Sequence, residues 1–295
     1  MHASARLENR ETGSVFTEWF DPDGASSFDS ELDRLVCAHA IATGSVSGRC
    51  NLCGNRTSYS VTSEVVRETL ACSVDGSNGR HRAIAAALSQ ELFGESDRNM
   101  AHVIERLSSE RNHVYLAEVN TSIALRFAAS MPAELLTVSE YYGDEYASGD
   151  FVGEFRHENL ERISFADERF DVIVTSEVME HVPDVLRAER EIVRVLRPGG
   201  IYLFTVPLSP WGDEDIILSE MQADGTIVHF GEPQYHGDPK RAEGILAYRI
   251  FSVRALQRRF EALGCEFLTY RFWSKSRGIL GDYAWVHVVR KIAVS

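Results

Sequence analysis

The sequence predicts an α/β fold with a mostly parallel sheet, and three observations lead to this prediction. From about residue 113 onward, short apolar runs alternate with segments of helical periodicity. The apolar fraction of 44% and the charged fraction of 25% are ordinary for a globular protein. The 295 residues suffice for one large domain and a smaller module. Alternating strands and helices favour a parallel sheet that is covered on both faces.

The elements follow each other in a regular order along this part of the chain. Strands are predicted at 114–119, 135–141, 170–178 and 201–207, and helices at 122–130, 185–196 and 252–264. The run Arg197-Pro198-Gly199-Gly200 is expected to end the helix before it, because proline and glycine interrupt helices. Residues 265–273 and 283–294 are expected to close the sheet as an antiparallel pair.

The first 109 residues have a different character. Residues 1–30 are polar and suggest a loosely docked arm, whereas 31–43 and 81–109 have the spacing of amphipathic helices. Residues 44–80 are rich in Gly, Ser, Asn and Cys and show no apolar core. We therefore expect a mainly helical module over 1–109 and the α/β domain over 110–295.

Charge and hydropathy narrow the class of partner. The net charge of −14 disfavours nucleic acid, because an acidic body repels phosphates. No apolar run reaches 18 residues and the first residues lack a signal-peptide core, so we expect a cytoplasmic protein without membrane contact. In that compartment five cysteines indicate free thiols or a metal site. A small-molecule substrate is expected, and a homodimer is one assembly that the sequence allows.

Acidic residues follow two neighbouring predicted strands. Glu118 comes after the first strand and Glu140 ends the second. Ligands of open α/β sheets bind beyond the carboxyl ends of the strands, and a carboxylate there can accept both hydroxyl protons of a ribose. The alternative is that both are solvated strand-end carboxylates.

The stretch around the central predicted strand carries a family resemblance. It holds the runs His-Glu-Asn-Leu-Glu-Arg-Ile-Ser-Phe-Ala-Asp (157–167), Phe-Asp-Val-Ile-Val-Thr-Ser-Glu-Val-Met-Glu-His-Val (170–182) and Arg-Pro-Gly-Gly (197–200). In this order they resemble the class I methyltransferases that depend on S-adenosylmethionine (SAM). The resemblance implies a Rossmann-like core with a mostly parallel seven-stranded sheet.

The resemblance also implies the cofactor site. Glu140 would hold the ribose hydroxyls, with Tyr141 beside it, and Leu160 would line the adenine pocket. Asn159 stands where the family usually has an Asp that contacts the adenine amino group, and its carbonyl can accept the same hydrogen bond. Ser176 and Glu177 would lie near the methionine part of SAM.

The first loop departs from the family. Residues 118–122, Glu-Val-Asn-Thr-Ser, contain no glycine, whereas the family usually places glycines there so that the backbone can approach the cofactor. Glu118 would bind the methionine amino group. Without glycine, side chains occupy space near the methionine part of the cofactor, and the small residues Thr121 and Ser122 would have to fit there.

Histidines are expected to supply the base. Glu180-His181 follows the central strand and would lie between cofactor and substrate. The later run His-Phe-Gly-Glu-Pro-Gln-Tyr-His-Gly-Asp-Pro (229–239) resembles a loop of a narrower group of bacterial methyltransferase-like proteins. Within it, His229, Tyr235 and His236 suit deprotonation or orientation of a hydroxyl or amine. The alternative is a turn-rich loop whose histidines only bond to the protein.

The cysteine spacing suggests zinc. Cys50-x-x-Cys53 is followed by Cys72-x-x-Asp75, and tetrahedral zinc accepts Cys, His and Asp. His81 or His39 could replace Asp75 as fourth ligand, and a turn without metal is the alternative. A bound zinc would stabilise a segment that lacks its own core, or else act on the substrate as a Lewis acid.

Together these features predict a SAM-dependent methyltransferase that acts on an oxygen or nitrogen of a small molecule of natural-product or sugar type. Two alternatives stay open. One is an enzyme on the same fold that catalyses a reaction other than methylation. The other is a protein that binds in the SAM pocket without catalysis.

Overall fold

The structure is a computed structural model that describes residues 5–8, 15–19, 30–209, 212–237, 244–281 and 284–293. The chain divides into two compact units. Unit 1 comprises residues 1–139 and 268–288, and unit 2 comprises residues 140–267 and 289–295. This division differs from a boundary at 109/110, which stays a prediction.

The helices begin close to where the periodicity placed them. They are α1 (Ser30–Thr43), α2 (Val66–Thr69), α3 (Gly79–Phe93), α4 (Met100–Ser109), α5 (Ser122–Ala128), α6 (Val185–Val195) and α7 (Val253–Ala262). Short 3-10 turns span Ala133–Leu135 and Met179–His181. The five longer helices from α3 onward start behind a side chain that accepts a backbone N–H, which satisfies one of the free donors of the first turn. These capping residues are Asn78, Asn99, Thr121, Asp184 and Ser252.

The strands are more numerous than the sequence indicated. They are β1 (Ala5–Glu8), β2 (Val15–Trp19), β3 (Ser45–Arg49), β4 (Arg56–Ser60), β5 (Ala71–Cys72), β6 (Val114–Leu116), β7 (Leu136–Glu140), β8 (Phe151–Val152), β9 (Phe155–His157), β10 (Phe170–Ser176), β11 (Leu196–Thr205), β12 (Ile216–Ile217), β13 (Ser219–Met221), β14 (Ile227–His229), β15 (Tyr235–His236), β16 (Ile245–Leu246), β17 (Arg249–Ile250), β18 (Cys265–Phe272) and β19 (Trp285–Lys291).

The expected α/β fold is confirmed. In unit 1, β6 pairs in parallel with β7, and in unit 2, β10 pairs in parallel with β11. The strands β6, β10 and β11 are almost wholly buried, as strands covered on both faces must be. The aromatic rings of Tyr202 and Phe204 stack at 4.6 Å in the core of unit 2. The chain thus has a Rossmann-like α/β architecture.

Three local expectations are corrected. The helix α6 ends at Val195, ahead of Arg197–Gly200 as expected, but the next strand begins at Leu196 instead of residue 201. The run lies within β11 and forms a bulge between the pairs Phe170–Leu196 and Val172–Ile201. A side chain at Gly200 would meet the Asp171 carbonyl at 3.0 Å, so the bulge requires glycine there.

The other two corrections lie near the N-terminus. Part of the expected arm forms the antiparallel pair β1–β2, and β2 pairs in parallel with β18. The stretch 21–27 of that arm lies outside the described residues. Residues 45–72 form the antiparallel sheet β3–β4–β5, in which Val46, Tyr59 and Leu70 are buried. The cysteine-rich segment therefore has a small core that its composition did not reveal.

Candidate functional site

Glu140 is the last residue of β7, and Asn159 follows two residues after β9. The backbone N–H of Glu158 donates to the Glu140 carbonyl at 3.1 Å, so the ends of β7 and of the segment after β9 are joined. Asn159 directly follows Glu158 in the chain, so its backbone is one residue away from this hydrogen bond. The backbones of the two residues predicted to bind ribose and adenine are therefore close together.

The loop between them folds around a buried histidine. His157 is fully buried, and its Nδ1 accepts the backbone N–H of Tyr142 at 3.0 Å. The ring of Tyr141 lies 5.4 Å from the His157 ring, and that of Tyr146 lies 5.8 Å from it. Burial lowers the pKa of His157, so the ring acts as a neutral acceptor that holds the loop. Sequence reasoning did not assign this residue.

The side chain of Asn159 is held in a defined direction. Its Oδ1 accepts the backbone N–H of Glu161 at 2.8 Å, and the backbone N–H of Asn159 donates to Ser148 Oγ at 3.0 Å. A carbonyl oxygen has a second lone pair, so Oδ1 can also accept from a ligand amine. Leu160 is buried next to it, with 6% of its surface exposed. A hydrogen-bond acceptor and a buried apolar side chain are thus adjacent here.

Glu158 has a structural part in this arrangement. Its buried carboxylate accepts from Arg156 Nε at 2.7 Å and from the Ser164 N–H at 2.9 Å. The carboxylate thereby fixes the turn that carries Asn159.

Ser176 and Glu177 follow the buried strand β10. Ser176 is buried, and Glu177 has a left-handed backbone with φ of 58°. This conformation is costly for a residue with a Cβ and is often kept at ligand sites. The Glu177 N–H donates to the Thr205 carbonyl at 3.0 Å, which anchors the turn to β11.

Glu180, His181 and His236 form a compact group in unit 2. Their ligand atoms all lie within 4.8 Å of one another. Glu180 is fully buried, and burial, followed by repulsion from Glu177, raises the pKa of Glu180 to about 7. The predicted histidines His181 and His236 are thus brought together, and Glu180 joins them. The Glu-His pair after a strand was a usable signal, but only the fold shows that His236 completes the group.

The remaining residues of the predicted base set take other places. His229 lies on the hairpin β13–β14, where its Nδ1 is 2.8 Å from Ser219 Oγ. Tyr235 is 54% exposed on β15, next to His236. Asp238 and Pro239, the end of the predicted loop, lie outside the described residues. His181 and His236 therefore lie together, whereas His229 contacts Ser219.

The first loop belongs to unit 1. Glu118 is half-buried two residues after β6. The two small residues in the place of glycines have hydroxyls with protein partners: Thr121 Oγ1 accepts from the Ala124 N–H at 3.1 Å, and Ser122 Oγ donates to the Asp75 carbonyl at 3.1 Å. The loop is thus tied to the predicted metal segment.

The two halves of the cysteine segment fold alike. The Cys50 N–H donates to the Asn55 carbonyl at 2.9 Å, and the Gly54 N–H donates to the Cys50 carbonyl at 2.8 Å. The same pattern recurs at Cys72, with Ser77 and Gly76 in equivalent positions at 2.8 and 2.9 Å. Asp75 therefore occupies in the second turn the place of Cys53 in the first.

These turns bring four potential ligands together. The Sγ atoms of Cys53 and Cys72 are 3.9 Å apart, and Cys50 Sγ lies 3.6 Å from Asp75 Oδ2. With their ligand atoms within 4.8 Å of one another, the four residues can surround one ion. Exposed His39 and buried His81, the alternative fourth ligands, are not in this group within the described part of the chain.

The protonation of the group depends on its surroundings. Burial raises the pKa of the Cys50 thiol to about 12, so this thiol stays protonated at neutral pH until a cation displaces the proton. Burial also acts to raise the pKa of Asp75, but hydrogen bonds from the Ser77 hydroxyl and N–H lower it on balance.

A buried arginine supports these turns, and sequence reasoning did not assign it. Arg82 is fully buried; its guanidinium donates to the carbonyls of Ser77, Leu70 and Gly278, the last two at 2.7 Å. Its Cζ lies 4.3 Å above the centre of the Tyr59 ring. The positive charge can offset that of ionised thiols nearby. The Arg80-His81-Arg82 run was visible, but its burial was not.

Known proteins with a similar sequence or fold include several methyltransferases. A family model described as a methyltransferase domain matches residues 128–204. An uncharacterized methyltransferase of Mycobacterium sp. (strain JLS) is 46% identical over 59 residues, which are 19% of this chain and 23% of that protein. One from Mycobacterium marinum is 37% identical over 117 residues, which are 39% and 44%. The chain thus spans less than half of these relatives.

A SAM-dependent methyltransferase from Methanosarcina mazei has 17% identity and a TM-score of 0.39, over 64% of this chain and 97% of that one. Among the described residues, no helix has the length and apolarity needed to cross a membrane. Residues 128–204, the segment that matches the methyltransferase-domain model, hold Glu140, Asn159, Ser176 and Glu180.

Proposed function

We propose that the chain transfers a methyl group from SAM to an oxygen or nitrogen of a small molecule of natural-product or sugar type. The observation that carries the proposal is the hydrogen bond from the Glu158 N–H to the Glu140 carbonyl. It joins the backbone of Glu140, the proposed ribose ligand, to the residue before Asn159, the proposed adenine ligand, and both lie within the segment that matches the methyltransferase domain.

Each residue near this bond has a chemically suited part. Glu140 would accept the ribose hydroxyl protons, with Tyr141 beside it, and Asn159 Oδ1 would accept the adenine amino proton next to buried Leu160. The turn at Ser176 and Glu177 would face the methionine part. Glu118 as a partner of the methionine amino group stays a prediction from the sequence.

The acceptor needs to lose a proton during the reaction. Bound SAM supplies an electrophilic methyl group, which leaves sulfur as the acceptor attacks. The chain then has to position the acceptor and receive its proton. We propose the group formed by Glu180, His181 and His236 for this part, because its imidazoles and carboxylate are potential proton acceptors. His229 and Tyr235 are proposed to orient the acceptor.

Calorimetry with SAM tests the cofactor site. Glu140→Ala removes two hydrogen bonds to a charged group at about 1.5 kcal/mol each, so its Kd for SAM should rise by roughly 100-fold. Glu154→Gln, an exposed carboxylate in the turn after β8, is the matched control and should bind like the wild type. No SAM binding by the wild type, or equal binding by Glu140→Ala, contradicts the proposed site.

Product analysis separates the enzymatic alternatives. Incubation with SAM and candidate acceptors should give S-adenosylhomocysteine and a methylated product. If SAM binds and is consumed only with other products, or the acceptor is changed while SAM is unchanged, the chain catalyses a different reaction on this fold. Tight SAM binding without turnover of any acceptor favours a binding protein.

We also propose that Cys50, Cys53, Cys72 and Asp75 bind a structural zinc ion. The two equivalent turns and the buried arginine support this proposal, since a closed site with four protein ligands is typical of structural zinc. Metal analysis should find one zinc at this site, and Cys53→Ser should lose it. Purified protein without zinc that binds none on titration would refute the site.

The remaining expectations concern the setting. The net charge of −14 supports a small-molecule acceptor over nucleic acid. A cytoplasmic location, a biosynthetic role and a homodimer are proposals from the sequence.

A further inference from the structure

Glu180 is a buried carboxylate without a well-formed hydrogen bond. Its side chain is fully buried, and neither oxygen has a hydrogen-bond partner among the described residues. Burial of an ionised carboxylate is costly unless a cation or donors compensate for it. The nearest nitrogen atoms belong to His236 and His181, at 3.4 and 3.7 Å from Oε1.

His181 is oriented with one nitrogen toward this carboxylate. Its Nδ1 is 2.9 Å from the Leu246 carbonyl, which can only accept, so Nδ1 carries a proton. In the neutral ring, Nε2 then has a lone pair, and this atom faces Glu180 Oε1. An imidazole whose other nitrogen donates to a backbone carbonyl is the usual arrangement of a metal-binding histidine.

His236 contacts both His181 and Glu180. Its ring is perpendicular to that of His181, with 5.0 Å between centroids. The backbone of His236 is held by the pairing of β15 with β16. The turn that carries Glu180 is held by the Tyr248 N–H, which donates to the Glu180 carbonyl at 2.8 Å. The His236 side chain is 35% exposed, so this side of the group is open to a ligand.

We infer that Glu180, His181 and His236 bind a divalent transition-metal ion. The ligand atoms would be one carboxylate oxygen, His181 Nε2 and His236 Nδ1. The separations of 3.4 and 3.7 Å from Oε1 are close to those between neighbouring ligands of one ion. Two imidazoles and one carboxylate suit Mn²⁺, Fe²⁺, Co²⁺ or Zn²⁺, whereas Mg²⁺ and Ca²⁺ favour oxygen ligands.

A role of this ion in methyl transfer rests on the proposed function. Three protein ligands leave coordination positions for water or an acceptor. An acceptor hydroxyl bound there would lose its proton more readily, as water does on a catalytic metal ion. Because the ion would occupy the lone pairs of both imidazoles, the proton would pass to the second oxygen of Glu180, which is not a ligand; direct transfer to a histidine applies to the group without a metal ion. The substrate class would then be small molecules with a hydroxyl that can bind a metal ion.

Titration with Mn²⁺ tests the site, because manganese favours nitrogen and oxygen ligands and the cysteine turns favour softer ions. Electron paramagnetic resonance on the full chain should detect one bound Mn²⁺. His236→Asn should weaken binding by more than about tenfold, since a ligand is removed. His181→Gln should do the same, and Glu180→Gln should too, provided that thermal melts show each is folded.

Two controls distinguish this site from others. His102→Ala removes an exposed imidazole on α4, and Glu154→Gln replaces an exposed carboxylate; both should leave Mn²⁺ binding unchanged. Absence of Mn²⁺ binding at millimolar concentration, or equal binding by folded His236→Asn, overturns the inference. SAM calorimetry on the wild type separates the two proposals: SAM binding without Mn²⁺ binding refutes only the metal site, and Mn²⁺ binding without SAM binding refutes only the proposed function.

Discussion

Replacement of Arg82 by methionine tests how the cysteine turns are stabilised. Arg82 is fully buried and its guanidinium connects residues 70 and 77 with residue 278, which is 196 positions away along the chain. Methionine keeps much of the apolar stem but donates no hydrogen bond. The variant therefore leaves three buried carbonyls without their charged donor.

The size of the effect follows from these contacts. Three hydrogen bonds from a charged donor, at about 1.5 kcal/mol each, correspond to a loss of roughly 4–5 kcal/mol in the free energy of unfolding. At about 2–4 °C per kcal/mol, the Tm should fall by roughly 10 °C or more. Zinc affinity should fall as well, because a cluster of three thiolates, a carboxylate and Zn²⁺ is anionic and loses a nearby positive charge.

Urea denaturation and competition with a chromophoric chelator measure the two effects. Arg106→Met is the matched control, because Arg106 forms an exposed pair with Glu110 at 3.0 Å and such pairs contribute about 0–1 kcal/mol. Arg82→Lys keeps the charge without the planar fork, so it should recover zinc affinity more than stability. If Arg82→Met unfolds within about 1 kcal/mol of the wild type, the hydrogen-bond reasoning is wrong.

Three further outcomes are expected. Burial lowers the pKa of His81 to about 3, below its ordinary 6.5, so the neutral ring stabilises the fold above pH 6.5 and this contribution is lost as pH falls. His81→Leu should therefore lose about 2 kcal/mol less than the wild type between pH 6.5 and 4.5, as measured by urea denaturation; equal losses would contradict this. Chelation of zinc should make half-buried Cys53 reactive to a thiol reagent but not buried Cys265, whose pKa burial raises to about 11; rapid labelling of Cys265 in the folded chain would be the contrary result. Asn159→Asp restores the family's usual carboxylate and keeps an acceptor for the Glu161 N–H, so SAM calorimetry should show equal or tighter binding, and a clear loss of affinity would count against the adenine role.

The order of the main elements was predictable because it depends on local patterns. Apolar periodicity and capping residues such as Asn99, Asp184 and Ser252 act over a few positions, and the helices α4, α6 and α7 follow them. Strand boundaries were less predictable. The bulge at Arg197–Gly200 depends on the pairing of β10 with β11, which the sequence of that run alone does not contain.

The candidate sites were predictable to the extent that they are local. Cys50-x-x-Cys53 and Cys72-x-x-Asp75 were recognisable from their spacing, since each half lies in one turn. Glu140 and Asn159 were assigned from the resemblance, and the bond between residues 140 and 158 gives a physical basis for their proximity.

What the sequence by itself determined is the set of short-range features: the alternation of strands and helices, the helix caps, the cysteine spacing and the acidic ends of the strands. Only the tertiary structure decided which distant groups meet. Arg82 reaches the Gly278 carbonyl, and His236 joins Glu180 and His181 while His229 pairs with Ser219. The physical reason is that burial and charge compensation depend on packing between segments far apart in the chain, and no local pattern encodes the partner of a buried charge.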